Sequence, residues 1–197
     1  MDLIYERDDA LSPDICRSVI DLFEVSDSKR PGKVTNHDSS EEVDLSLKRT
    51  IDLHIDPRDE KWKTIQDKIS ESLIKSFTEY RSKFLEIYKT HANDFARNFI
   101  MNKFHVYGYQ VHKSEPDGFF DWHVDAHENR MFTVIFYMNT LSSSDEGNTV
   151  FYVDGKLKHV IPKTGKIVIF PATWNYVHKG DTVKNSNKYI VTTFMHG

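Results

Sequence analysis

After residue 100 the chain changes its hydrophobic period, and that change narrows its folds more than anything else in the sequence. Upstream, apolar residues recur every three or four positions. Downstream they gather into short β-branched and aromatic runs separated by polar turns, which predicts strands at about residues 103–111, 131–139, 149–153, 157–161, 165–170 and 188–195. Helices first and short strands in series predict a mainly β fold, a barrel or sandwich buttressed by amino-terminal helices.

The amino-terminal part supplies the buttress. Ser12-Pro13-Asp14 reads as a helix start, with a serine cap, a proline in the first turn and an acid near the positive helix end. Ile15, Val19, Leu22 and Phe23 then share one face. Residues 26–44 are polar and are expected to form a mobile loop suited to covering a site. Residues 45–55 alternate as a strand. From about residue 59, Trp62, Ile65, Ile69, Leu73, Phe77, Tyr80, Phe84 and Tyr88 form a helical stripe whose role is to bury the helix on the barrel.

A chain of 197 residues is expected to make a single domain, 1–197, with 1–100 as helical support and loop and 101–197 as the β core. Twenty-six Lys and Arg against 30 Asp and Glu leave a formal charge of -4, so no overall basic field draws the protein to nucleic acid or anionic lipid. No run approaches the roughly 18 apolar residues of a membrane span. The single cysteine, Cys16, reads as a small buried hydrophobe in a helix, and a cytoplasmic location is expected.

The chemistry lies in four residues. His123 and Asp125 are two apart in an extended segment, so their side chains point the same way. His178 returns after the buried-looking run that ends at Pro171. Two imidazoles and one carboxylate on one side of a metal leave the opposite positions open, the arrangement of non-heme Fe(II) oxygenases. Lys188 opens the last predicted strand, where it shares a face with Ile190, Thr192 and Phe194. An inward ammonium requires an anion.

From about Phe104 to its end the chain resembles the 2-oxoglutarate and Fe(II)-dependent dioxygenases of the prolyl 4-hydroxylase-like type. The resemblance rests on His123 and Asp125, the strand from Arg130 to Asn139, Gly147-Asn-Thr-Val-Phe151, the segment from Phe170 to Gly180 with His178, and Lys188 at the family spacing. It implies a double-stranded β-helix, a cupin-like jelly roll with iron on its inner face. His123, Asp125 and His178 become iron ligands, Lys188 the partner of the 2-oxoglutarate C5 carboxylate, and Tyr137 and Thr192 hydrogen-bond neighbours of that co-substrate. Fe(II), 2-oxoglutarate and O2 are the implied cofactor and co-substrates, with ascorbate as an accessory reductant. Retention of Asp125 favours hydroxylation over halogenation. One departure stands out: relatives often carry a tyrosine ten residues before the first ligand, and here that position is Lys113. The secondary 2-oxoglutarate contact is therefore in question.

Other candidates have plainer readings. His54-Ile55-Asp56 repeats the HxD spelling, but Pro57 and a charged helix start follow it, so it is expected to be structural or surface. His127 could pair with His123 as HxxxH, yet Val124 stands where a zincin needs Glu. His105 and His112 read as ordinary, Arg130 as a surface arginine, and Trp122 and Trp174 as walls of a site. The implied reaction is hydroxylation of an aliphatic C–H with release of succinate and CO2. A prolyl residue of a peptide or protein is the first substrate expectation and a free amino acid or other small molecule the next. A zinc hydrolase would leave an inward Lys188 unexplained, and a non-catalytic binding barrel would make the ligand set fortuitous.

Overall fold

In a computed structural model, which describes residues 2–36, 38, 40–87, 103–127 and 129–197, the chain forms two facing sheets with two helices against one of them. The elements run β1 (Tyr5–Arg7), α1 (Pro13–Val25), β2 (Arg30–Pro31), β3 (Val34–Thr35), β4 (Glu41–Glu42), β5 (Lys48–Arg49), β6 (Ile51–His54) and α2 (Glu60–Ile87). Then follow β7 (His105–Val106), β8 (Gln110–Ser114), β9 (Phe119–His123), β10 (Arg130–Tyr137), β11 (Thr149–Val153), β12 (Lys156–Val160), β13 (Ile167–Pro171), β14 (Val177–Gly180) and β15 (Lys188–His196). The major sheet has the order β1-β13-β10-β15-β8-β6-β2, with β7 on β15, and the minor sheet has the order β12-β11-β14-β9-β5. All pairings are antiparallel. This is the jelly-roll core. Strands from before residue 60 lie in both sheets.

Alternation along the strands builds two cores. On β10, β13 and β15 the residues Val134, Phe136, Ile167, Ile169, Tyr189, Val191 and Met195 meet the helices, which present Val19 and Phe23 from α1 and Trp62, Ile69, Leu73 and Phe77 from α2. The intervening residues Ile135, Tyr137, Val168 and Phe170 face the minor sheet and its Phe151 and Val160. Continuous apolar runs such as Ile167–Phe170 follow from burial on both faces. Phe77 anchors the outer core, with Phe104 and Phe132 each 5.2 Å from its ring and close to edge-on.

The helix start is as expected. Ser12 is extended and its hydroxyl accepts the Ile15 N–H at 3.4 Å, with Pro13 opening the helix. Cys16 is fully buried, and burial pushes its thiol up to about 11, so it is an inert core residue. Tyr88, the last member of the aromatic stripe, lies outside the described residues.

Residues 26–44 are not wholly loop. Arg30–Pro31 pairs with β6, and β3 and β4 pair with each other. These ladders are held by backbone pairing and polar contacts such as Lys33–Glu41 and Asn36–Glu42, and they bury almost no apolar side chain, so hydrophobic patterning could not reveal them. The expected strand at 103–111 divides at Gly108, whose φ of +132° interrupts extended backbone. No described helix is long and apolar enough to cross a membrane.

Candidate metal centre

Neighbouring strands of the minor sheet bring the two histidines together. His178 on β14 stands directly opposite His123 on β9, while two residues further along β14 Gly180 stands opposite Phe120. Three steps on β9 thus match two on β14. This bulge turns Phe120 to the same side as His123, and their rings stack at 3.6 Å. Phe170 meets His178 edge-on at 4.8 Å. Both imidazoles are therefore clamped by aromatic rings.

Hydrogen bonds fix which nitrogen faces inward. His123 Nδ1 donates to the Asp121 carbonyl at 2.7 Å and His178 Nδ1 donates to the Tyr176 carbonyl at 3.0 Å. Each neutral ring then presents its Nε2 lone pair to a shared space. Asp125, just beyond the end of β9, completes it. Its carboxylate lies 3.7 Å from His123 Nε2 and 3.4 Å from His178 Nε2, and the three ligand atoms lie within 4.8 Å of one another. Ligands bound to one ion at ~2.1 Å would stand ~3.0–3.4 Å apart, so a small contraction suffices. Thr133 donates to the Asp125 carboxylate at 2.7 Å and holds it in place.

The electrostatics suit a cation. Burial lowers the His123 pKa, helped by His178 and opposed by Asp125, so this ring is a neutral donor. Burial works against the Asp125 charge, but His178, His123, the Thr133 hydroxyl and Arg130 outweigh it and keep the carboxyl below its usual range. Two imidazole nitrogens and one carboxylate fit Fe(II) with open positions opposite them.

Lys188 lies in the same barrel, 5% exposed, with its ammonium donating to the Gly147 carbonyl at 2.6 Å. Burial pushes its pKa down to about 8, with Asp181 opposing. A buried ammonium with three donors on one neutral carbonyl suits an incoming carboxylate. Two glycines shape this end. Gly147 has a φ of +68°, and a Cβ there would come within 2.7 Å of Leu141, while a Cβ on Gly180 would stand 4.0 Å from the ammonium. Tyr137 is fully buried with its ring centre 5.7 Å from that nitrogen, and its hydroxyl donates to Thr149 at 2.7 Å. Thr149 was not singled out in the sequence, where it sits within Gly147-Asn-Thr-Val-Phe151 with no spacing signal of its own.

Thr192 faces the interior, where its hydroxyl is 2.7 Å from His112 Nε2. His112 Nδ1 is 2.8 Å from Asp52, which Lys48 reaches at 2.7 Å. His112 is thus far from ordinary, with both ring nitrogens engaged. Lys113 is on the opposite side of β8, 3.0 Å from both Glu24 and Glu115, so the residue at the family's tyrosine spacing does not face the interior. His112 and Ser114 do, because they alternate with it. A charged Asp52 between Ile51 and Leu53 was the available hint.

The remaining candidates supply no ligand to the group of three. His54 is exposed at the end of β6, and Asp56 is bonded to Arg58. Trp122 lies under Lys179, 5.2 Å from its ring, and Trp174 is 79% exposed. Arg130 lies 3.7 Å over Phe194 and adds positive potential at Asp125.

Residues 107–196 match the family model described as the 2OG-Fe(II) oxygenase superfamily. Comparison with curated proteins gives no match. Among solved structures, a Pseudomonas putida prolyl-4-hydroxylase is similar with a TM-score of 0.72 at 17% identity, over 98% of this chain and 92% of that one. The viral collagen prolyl hydroxylase of Paramecium Bursaria Chlorella virus-1, solved as a 2OG complex, gives 0.65 at 16% identity over 100% and 97%. A Trichoplax adhaerens prolyl hydroxylase, in complex with a hypoxia inducible factor oxygen degradation domain peptide fragment, gives 0.72 at 14% over 98% and 83%. At these identities the likeness is one of fold.

Proposed function

We propose that the protein is a 2OG-Fe(II) oxygenase, as the family match over residues 107–196 supports, and that it hydroxylates an aliphatic C–H bond with a prolyl residue of a peptide or protein as its substrate. The observation that carries the reading is the convergence of His123, Asp125 and His178 in a barrel that also buries Lys188. Fe(II), 2-oxoglutarate and O2 together supply oxidative decarboxylation coupled to hydroxylation, with succinate and CO2 released. The prolyl substrate draws its support from the fold neighbours, each described as a prolyl hydroxylase. A free amino acid or other small molecule is the second reading. A hydrolase with the same ligands gives Lys188 no task.

The chain's own residues divide the work. His123 and His178 would offer neutral nitrogen ligands whose rings are already oriented, and Asp125 would offer the charge that balances a divalent ion. Lys188 would hold the far carboxylate of 2-oxoglutarate, with the Tyr137–Thr149 pair packed below it. Tyr137 is a poor acid here, since burial raises its pKa. Its part is to shape and hydrogen-bond.

Anaerobic titration of the purified protein with Fe(II) and 2-oxoglutarate tests the reading. A weak visible charge-transfer band is expected, lost in Asp125→Ala and at least ~10-fold harder to saturate in Lys188→Ala, the cost of one charge-assisted contact. No band in the parent protein under any condition would end the oxygenase reading.

A further inference from the structure

Between the two sheets, beside the metal centre, lies a second polar assembly, with Asp52 and His112 from the major sheet and Lys48 from the minor one. Lys48, Asp52 and His112 bury side chains that are 6%, 5% and 11% exposed. Asp52 accepts from Lys48 at 2.7 Å, from Thr50 at 2.7 Å and from Gln110 at 3.3 Å. His112 bridges Asp52 and Thr192. Lys48 also lies 5.0 Å over the Phe120 ring that stacks on His123.

The contacts assign the protons around Asp52, and the burial of His112 assigns the one toward Thr192. A carboxylate only accepts, so the His112 nitrogen facing Asp52 must be Nδ1–H and the Gln110 atom facing it must be the NH2. The titratable groups around His112 are Asp52, Lys48 and His54. Burial lowers its pKa, with Lys48 assisting and Asp52 opposing, and so favours the neutral ring. A neutral ring with Nδ1–H has a bare Nε2, and the Thr192 O–H donates to it. Thr192 has one hydroxyl proton, now used. Its lone pairs remain for the barrel interior, and so does the Gln110 carbonyl oxygen. The two residues stand directly opposite each other on β15 and β8, which places their Cβ atoms ~5 Å apart on one face. Thr192 also pairs with Ile135, two residues along β10 from the Thr133 that holds Asp125.

We propose that Thr192 and Gln110 form a hydrogen-bond-accepting wall that receives an N–H donor of the substrate, with Lys48, Asp52 and His112 as the positioning residues that fix its polarity. This rests on the oxygenase reading of the same barrel and corrects one expectation drawn from the resemblance: a hydroxyl that already donates to His112 cannot donate to a 2-oxoglutarate carboxylate. The donor can be the amine of a free amino acid or the backbone amide that follows a prolyl residue, whose own ring nitrogen carries no hydrogen in a peptide.

Three readouts test it on the full chain. Long-range 1H–15N correlation of the histidines, with His112→Asn to assign the signal, should show His112 as the Nδ1–H tautomer with bare Nε2. A doubly protonated ring or the opposite tautomer overturns the proposal, and this result does not depend on metal or activity. The 2-oxoglutarate titration should keep its midpoint within about twofold in Thr192→Val, whereas a tenfold loss would make Thr192 a co-substrate donor and overturn it. The third readout is the response of the Fe(II)–2-oxoglutarate band to two probe pairs. L-proline is set against tetrahydrofuran-2-carboxylate, and N-acetyl-prolyl-N-methylamide against N-acetyl-proline methyl ester. Within one pair the N–H member should act at a tenfold lower concentration, with the preference lost in Thr192→Val, and the pair that responds names the source of the donor. Equal response within both pairs, none included, overturns the wall. Failure to form the band at all sinks the oxygenase reading instead, and leaves the tautomer to be judged alone.

Discussion

Two histidine–aspartate assemblies lie inside this barrel, and they use the same groups in opposite ways. At the metal centre the Nδ1 atoms of His123 and His178 are spent on backbone carbonyls, and the Nε2 atoms face Asp125 at 3.4–3.7 Å, too far for a strong hydrogen bond. In the other assembly His112 gives its Nδ1–H to Asp52 at 2.8 Å and takes a hydroxyl proton from Thr192 at 2.7 Å. The first set is oriented but unsatisfied among its own members. The second closes on itself, with Lys48 cancelling the charge of Asp52. The difference teaches that burial of His and Asp together does not identify a ligand site; what identifies it is where the inner lone pairs are left.

Removing each aspartate should break this contrast most sharply. Asp52→Ala strands Lys48 in the interior and is expected to lower the unfolding free energy by ~3–5 kcal/mol, read from denaturant melts of the metal-free protein. Asp125→Ala in the same melts should cost clearly less, because it strands no buried lysine and, among the described residues, the carboxylate accepts a hydrogen bond from Thr133 with the two histidines 3.4–3.7 Å away. Equal losses would mean that both assemblies are structural. A smaller effect sharpens the metal side. Thr133→Val should weaken Fe(II) affinity ~10-fold by freeing Asp125 to turn, as expected for loss of a group that orients a ligand, measured by competition with a metal-sensitive dye. The gentlest change is pH. Since the charged form of Lys188 is the one that holds a carboxylate, and its pKa in the free protein is about 8, 2-oxoglutarate affinity should be flat below that value. Above it the affinity should fall by up to ~10-fold per pH unit, because binding must then take up a proton.

The metal centre was more legible in the sequence than the assembly beside it, for a reason rooted in geometry. His123 and Asp125 are two residues apart, and Lys188 heads a strand whose alternation makes it face inward, so local spacing carried the information. Nothing local links Asp52, His112 and Thr192, which meet because β6, β8 and β15 pair in one register. A one-residue slip would have put Lys113 inside and His112 out. The fold was readable to the same degree. Strands that bury both faces, such as β10 and β13, announced themselves through apolar runs, whereas β1, β14 and the short ladders within residues 26–44 depend on backbone pairing with distant partners. The bulge on β9 left no sign, since Phe120 looks out of phase with His123 until the extra residue is counted.

The carbonyls of Asp121 and Tyr176 give the histidine rings an unusual kind of permanence. Every residue type has a main-chain oxygen, so no side-chain replacement at 121 or 176 deletes the acceptor that sets the imidazole tautomer. Drift at those two positions can alter the surroundings of the ligands without reversing their polarity. To reverse a ring, its hydrogen bond to the main chain would have to be broken.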